Sequence, residues 1–264
     1  MEKTAKETHL LKIGDAIVFG KSGVDYTLEP GTVYVPKVDY MSEEIQLNFG
    51  NSLTMPEKMY IPESDKKFVN KVLDSYALST RTMGVLLAGL KGTGKTVMAK
   101  HIAKQSNLPI LTVDNSLHPN FLKTLFTKLE NTPMCIIFDE FDKLGERYDS
   151  DQILRVLDGI SSSGKHLVLF TCNETENVNA YMLDRCGRIR YYREFDEMNP
   201  SMITEILTDR LVDKSEAKVL TDFIVKNFSI VSFDNITAFV DEVNNYPNDT
   251  YEELFRDMNI SPKD

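Results

Sequence analysis

The chain has 264 residues, is 42% hydrophobic and carries a formal net charge of −10, enough to bury one substantial core plus a small appendage. No apolar stretch approaches the roughly 20 residues that span a bilayer, and Met1-Glu2-Lys3-Thr4-Ala5-Lys6-Glu7 is no secretory signal, so the expected location is the cytoplasm. Cys135, Cys172 and Cys186 lack C-x-x-C spacing and the four histidines lack H-E-x-x-H, which argues against a disulfide frame, a zinc site and a fused zinc protease.

In chain order, residues 1–58 hold short apolar stretches such as Ile17-Val18-Phe19 and Thr32-Val33-Tyr34-Val35, punctuated by glycines and Pro30-Gly31. They predict a small β-rich N-terminal region. Pro56 and Pro62 bracket a linker, and Phe68, Val69, Val72, Leu73 and Tyr76 mark an amphipathic helix. Residues 59–195 then alternate strands with helices, which predicts an α/β domain: a three-layer core with a mainly parallel sheet. Its strands are Val85-Leu86-Leu87-Ala88, Pro109–Val113, Cys135–Phe138 and Leu167–Phe170; helical spacing recurs at Val97–Ala103, Phe121–Leu129 and Ile153–Ile160.

Residues 196–264 predict a C-terminal helical lid. Asn199 caps a helix that begins with Pro200, and Thr250-Tyr251-Glu252-Glu253 has capping-box spacing. Between them, Val219/Leu220/Phe223/Ile224 and Phe233/Ile236/Phe239/Val240/Val243 mark two further helices. From Asp196 onward there are fifteen acidic side chains against six basic ones, a balance that does not attract nucleic acid.

The chemistry centres on Gly89-Leu90-Lys91-Gly92-Thr93-Gly94-Lys95-Thr96, a G-x-x-x-x-G-K-T phosphate loop set between a strand and a helix. The glycines permit turns whose N–H groups converge on phosphate oxygens, and the helix N-terminus beginning near Val97 adds partial positive charge. Lys95 supplies a point charge to the β and γ phosphates, and the Thr96 hydroxyl can ligate Mg²⁺. Residues Gly89–Val97 are therefore the expected nucleotide-binding set.

Asp139-Glu140 closes the strand Cys135–Phe138. Asp139 is the metal candidate and Glu140 the general base for an attacking water, while Asp142 reads as a supporting carboxylate. A further strand delivers Asn173, whose amide can bond the γ-phosphate or orient the water; an asparagine at that place, taken alone, is a turn residue. Leu183-Asp184-Arg185-Cys186-Gly187-Arg188 then offers two guanidinium forks suited to phosphoryl charge, or equally a solvated basic turn.

The phosphate loop, the strand ending in Asp-Glu, Thr171-Cys172-Asn173 and Leu183–Arg188, in that order, resemble the AAA ATPase family over roughly residues 60–260. The resemblance implies ATP and Mg²⁺ as cofactors and a ring of identical subunits, usually a hexamer. Arg185 and Arg188 then act as arginine fingers on the neighbour's ATP, and Asn173 is the first sensor residue. The chain departs from the family pattern at Leu90 and Lys91, where a proline usually stands, and at Arg190. Between Asn227 and Phe255 there is no Lys or Arg, unlike clamp loaders and replication initiators. In its shortened form it resembles translocator-type and phage-encoded members.

The segment Asp114–Phe121 lacks the aromatic-hydrophobic-glycine triplet of protein-threading members. His118 or Phe121 faces a central pore, or else Phe121 packs and the polar residues cap a helix. Three functions follow: an ATP-hydrolysing ring acting on an unidentified protein substrate or adaptor, a nucleotide-driven assembly scaffold with slow turnover, and a nucleic-acid motor. The acidic lid and absence of tryptophan weigh against the last.

Overall fold

A computed structural model of the chain describes residues 9–20, 25–113, 117–143, 164–173, 189–195 and 198–263. The helix expected at Ile153–Ile160 and the residues Arg185, Cys186 and Arg188 lie outside this set. Contacts divide the chain into two compact units, one of Met1–Pro56, Lys67–Ala88 and Thr96–Arg193, the other of Glu57–Lys66, Gly89–Lys95 and Glu194–Asp264.

The first unit is an α/β structure. The strands and helices from His9 to Phe195, most of whose residues lie in this unit, run β1 (His9–Ile13), β2 (Ala16–Gly20), β3 (Val33–Asp39), β4 (Glu44–Phe49), α1 (Glu63–Leu78), β5 (Met83–Gly89), α2 (Lys95–Gln105), β6 (Ile110–Val113), α3 (Pro119–Lys128), β7 (Cys135–Phe138), β8 (Leu167–Cys172) and β9 (Tyr191–Phe195). Among the described residues they form one sheet in the order β1-β2-β4-β3-β6-β7-β8-β5-β9. Strands β1 to β4 pair antiparallel, whereas β3–β6, β6–β7, β7–β8 and β8–β5 are parallel.

The four N-terminal strands thus extend the parallel sheet through Val33↔Ile110 and Tyr34↔Leu111. They share its core too: Leu10, Ile17, Tyr34 and Leu47 belong to one buried cluster with Leu111, Phe126, Phe138 and Phe170. Pro36 is tolerated inside β3 because the described pairing with β6 covers only Val33 and Tyr34, so its missing N–H breaks no bond there.

Every residue of β7 and β8 is buried, as expected of parallel strands covered on both faces, and this is why both read as uninterrupted apolar runs. β5 and β6 are consecutive yet separated by β7 and β8, so the chain crosses over through α2 and then returns through α3. The crossovers align the carboxyl ends of β5, β8 and β7, with Ala88 opposite Cys172 and Phe138 opposite Phe170.

The second unit is built on α4 (Pro200–Arg210), a 3-10 turn at Lys214–Glu216, α5 (Ala217–Asn227), α6 (Phe233–Asn245) and α7 (Tyr251–Asp257). Ile203, Ile206, Leu220, Ile224, Phe228, Phe239 and Val240 form its core. The helix starts carry the two expected caps, with Asn199 accepting from the Met202 N–H and Thr250 and Glu253 making a reciprocal capping box, and a further one in which Ser232 accepts from the Asn235 N–H. Each such cap is worth about 1 kcal/mol. Asp209 of α4 accepts from the Tyr60 hydroxyl at 2.9 Å and pairs with Lys58, which ties the Glu57–Lys66 segment to this bundle. Among the described residues no helix is long and apolar enough to cross a membrane.

One buried group has a cost that pH can expose. His166, just ahead of β8, is fully buried, and neither ring nitrogen has a hydrogen-bond partner among the described residues. Burial holds its pKa down to about 4. The folded ring therefore stays neutral well below the pH near 6.5 at which the unfolded chain takes up its proton. This preference costs nothing above about pH 6.5; as pH falls from there towards 4 it removes up to about 3 kcal/mol of stability. Urea unfolding between pH 7.5 and 4.5 should show that loss, and His166→Leu should flatten it; an unchanged slope in the variant would assign the acid sensitivity elsewhere.

Candidate functional site

β5 delivers its last buried residue, Ala88, directly into the phosphate loop, and α2 begins at Lys95. Within the loop Gly89 has φ +132° and Gly92 φ +80°, in the region that favours glycine. Space as well as torsion requires them. A Cβ at Gly89 would lie 2.2 Å from the Phe195 carbonyl oxygen, and one at Gly92 would lie 2.7 Å from the Ser232 Cβ. The Phe233 N–H, at the first turn of α6, donates to the Gly92 carbonyl at 3.2 Å. The phosphate loop and α6 thus meet backbone to backbone within the second unit.

Lys95 is only 5% exposed and donates from Nζ to the carbonyls of Gly89, at 2.7 Å, and Leu90, at 2.6 Å. The Thr93 hydroxyl donates to the same Leu90 carbonyl at 2.7 Å. These bonds hold the loop closed around its own cation. Leu90 and Lys91 point outward, Gly94 is half-buried with φ +98°, and Val97 is half-buried in the first turn of α2.

In the first unit, the residues after β7 and at the end of β8 form a connected set. Asp139 Oδ1 accepts from the hydroxyls of Thr96 at 2.8 Å and Thr171 at 2.6 Å. Thr171 Oγ1 also accepts from the Glu140 N–H at 2.8 Å, and the Thr171 carbonyl accepts from the Phe141 N–H at 2.8 Å. Glu140 has φ +52°, a left-handed conformation rare for a residue with a side chain. Its carboxylate accepts from the Asn173 amide at 3.4 Å through Oε1 and pairs with Lys143 through Oε2. Asp142 is buried, and its Oδ1 has no hydrogen-bond partner among the described residues.

The structure therefore brings Thr96, Asp139, Glu140 and Asn173 into one hydrogen-bonded cluster. Asp139 and Thr96 present a carboxylate and a hydroxyl, hard oxygen donors that fit Mg²⁺. Gly89–Lys95 presents crowded glycine turns and a buried ammonium, which fit a polyphosphate. Arg185 and Arg188 lie outside the described residues. At Asp114–Phe121, His118 Nδ1 accepts from the Asn120 N–H and caps α3, and the Phe121 ring meets Tyr40 edge-on at 5.5 Å.

Sequence reasoning passed over Thr171, Lys143 and Ser232. Lys143 carried a usable signal, three residues after Glu140 at a spacing that suits an ion pair on a helical turn. Thr171 and Ser232 carried none, because their roles depend on which strand and which loop lie opposite.

A strand, a glycine-rich loop opening a helix, and a further strand of the same sheet followed by Asp-Glu define a P-loop nucleotide-binding domain. Residues 85–196, less than half of the chain, match the ATPase family associated with various cellular activities (AAA). It is 33% identical over 166 residues to the probable 26S proteasome regulatory subunit 4 of Caenorhabditis elegans, covering 53% of this chain and 37% of the relative. It is 28% identical over 201 residues to the ATP-dependent zinc metalloprotease FtsH of Cyanidium caldarium, covering 66% of this chain and 30% of the relative. The chain thus spans about a third of the length of these two relatives. A structure solved in work titled "Structural Basis for Katanin Self-Assembly" shares the fold with a TM-score of 0.56 at 19% identity, covering 77% of this chain and 76% of that one.

The crowding at Gly92 has a measurable consequence. Gly92→Ala adds a left-handed side chain and a clash with Ser232, and should lower stability by about 1–3 kcal/mol and weaken ATP binding at least tenfold. Gly14→Ala, at φ +60° with nothing within 4 Å, should cost about 1 kcal/mol and leave ATP binding unchanged. Urea midpoints and titration with ATP check both; equal effects in the two variants would contradict the reading of the loop.

Proposed function

We propose that the chain is a Mg²⁺-dependent ATP hydrolase that assembles into a ring, a hexamer by family resemblance, and remodels or moves a protein partner. The observation that carries the proposal is the Thr96–Asp139–Glu140–Asn173 cluster at the ends of two paired strands. Lys95 and the loop amides bind the phosphates, which requires the ammonium to leave the Gly89 and Leu90 carbonyls. Thr96 and Asp139 hold Mg²⁺, which supplies charge neutralisation on the phosphate oxygens. Glu140 takes a proton from the attacking water, and Asn173 orients that water through its amide. Arg185 and Arg188 reach the site of the adjacent subunit, and residues 196–264 act as the lid that reports nucleotide state. Relatives named as a proteasome regulatory subunit and an ATP-dependent protease support a protein as the partner.

A second reading, an assembly switch with slow turnover, is favoured by the engagement of the Glu140 carboxylate by Lys143 and Asn173. A base held this way must exchange partners before it can accept a proton from water.

Steady-state ATP turnover, ATP affinity and particle mass separate these readings. Glu140→Gln should lower kcat by about 10²–10⁴-fold while retaining ATP and the assembled mass. Arg185→Ala should lose turnover yet bind ATP, and a fully active Arg185→Ala monomer would overturn the trans mechanism. Negligible turnover in assembled wild-type rings, relieved by Lys143→Ala, would favour the switch.

A further inference from the structure

The proposed mechanism leaves one buried hydroxyl of the cluster without a task. Thr171 is 1% exposed and occupies the carboxyl end of β8, directly beside the Asp-Glu pair that follows β7. It bonds three consecutive residues of the neighbouring segment. Its hydroxyl donates to Asp139 Oδ1 at 2.6 Å and accepts from the Glu140 N–H at 2.8 Å, and its carbonyl accepts from the Phe141 N–H at 2.8 Å.

Any residue in β8 would supply the carbonyl. The hydroxyl is the specific part, because it must donate to one residue and accept from the next at the same time. Serine and threonine can do this; alanine, valine and cysteine cannot do it well. The hydroxyl acts at the point where the backbone is least comfortable. Glu140 stands at φ +52°, so its N–H would readily be lost to another conformation if nothing held it.

Resting on the hydrolase reading above, we infer that Thr171 is the positioning residue of the reaction. One hydroxyl fixes the Asp139 carboxylate towards Thr96 and fixes the backbone that aims the Glu140 carboxylate. It touches neither phosphate nor water in this role. Its effect is carried by the orientation of two other side chains, so it should govern the chemical step more than nucleotide capture, for which the loop residues suffice. Phe141 supports the arrangement from the other side, with its ring edge-on to Phe170 at 4.8 Å and to Phe138 at 5.8 Å.

The test compares Thr171→Val, which keeps the shape and removes the hydroxyl, with Thr171→Ser, which keeps the hydroxyl. ATP turnover, ATP affinity in Mg²⁺, thermal melting and hydrogen exchange of the 138–142 peptide are measured on each full-length chain. Thr171→Val should lower kcat at least tenfold with ATP affinity within threefold of wild type, and should speed exchange at the Glu140 amide. Thr171→Ser should return kcat to within threefold and restore protection. Wild-type kcat in Thr171→Val would overturn the assignment. So would equal losses in the valine and serine variants, a parallel loss of ATP affinity, or unfolding of Thr171→Val at the assay temperature, any of which makes the residue structural. Glu140→Gln is the control for the underlying reading: if it hydrolyses ATP like wild type, the carboxylate site is wrong whatever Thr171 does; if it is inactive while Thr171→Val is fully active, only the positioning role fails.

Discussion

The parallel pairing of β7 with β8 is the constraint on which the candidate site depends. Its register sets Phe138 opposite Phe170, so the next residues on each strand, Asp139 and Thr171, meet at the strand ends. Shifting that pairing by one residue would turn alternate side chains to the other face and break the Thr171 bonds together. Both strands are fully buried, and a slip would have to repack close-fitting side chains on both faces, so the register is stiff and the site inherits its stiffness. Packing in the sheet is thereby converted into orientation of two carboxylates.

Stiffness at Asp139 contrasts with the provisional contacts made by the other charged groups. Lys95 bonds two carbonyls of its own loop, and Glu140 is held by Lys143 and Asn173. On the proposed mechanism these are the bonds that a polyphosphate and a water would replace, which would give nucleotide binding a way to change the loop. The Phe233 N–H donates to the Gly92 carbonyl, which joins the loop to α6, a helix that carries no arginine or lysine of its own.

Much of this was legible from residue order alone. The glycine loop, the apolar runs of β5, β7 and β8, and the caps at Asn199 and Thr250 are local signals, and each names its own structure. Strands β1, β4 and β9 were harder to see. β9 reads Tyr-Tyr-Arg-Glu-Phe, an edge strand whose charges mask its pairing, and β1 and β4 are short and half-exposed. That β3 would pair with β6, making the N-terminal strands part of the main sheet, is a long-range choice with no local marker. Thr171 is the sharpest case: a threonine at a strand end is ordinary until its neighbour is known to be Asp139.

The central claim is that ATP is held and cleaved by the cluster organised around Asp139 and Thr171. The most direct measurement is a crystal structure of the Glu140→Gln chain with ATP and Mg²⁺. The account predicts phosphates on the amides of Gly89–Thr96, Lys95 Nζ moved from the Gly89 and Leu90 carbonyls to a phosphate oxygen, and Asp139 facing the metal with its Thr171 bond intact. Nucleotide bound elsewhere, or Asp139 turned away from both Thr171 and the metal, would contradict it.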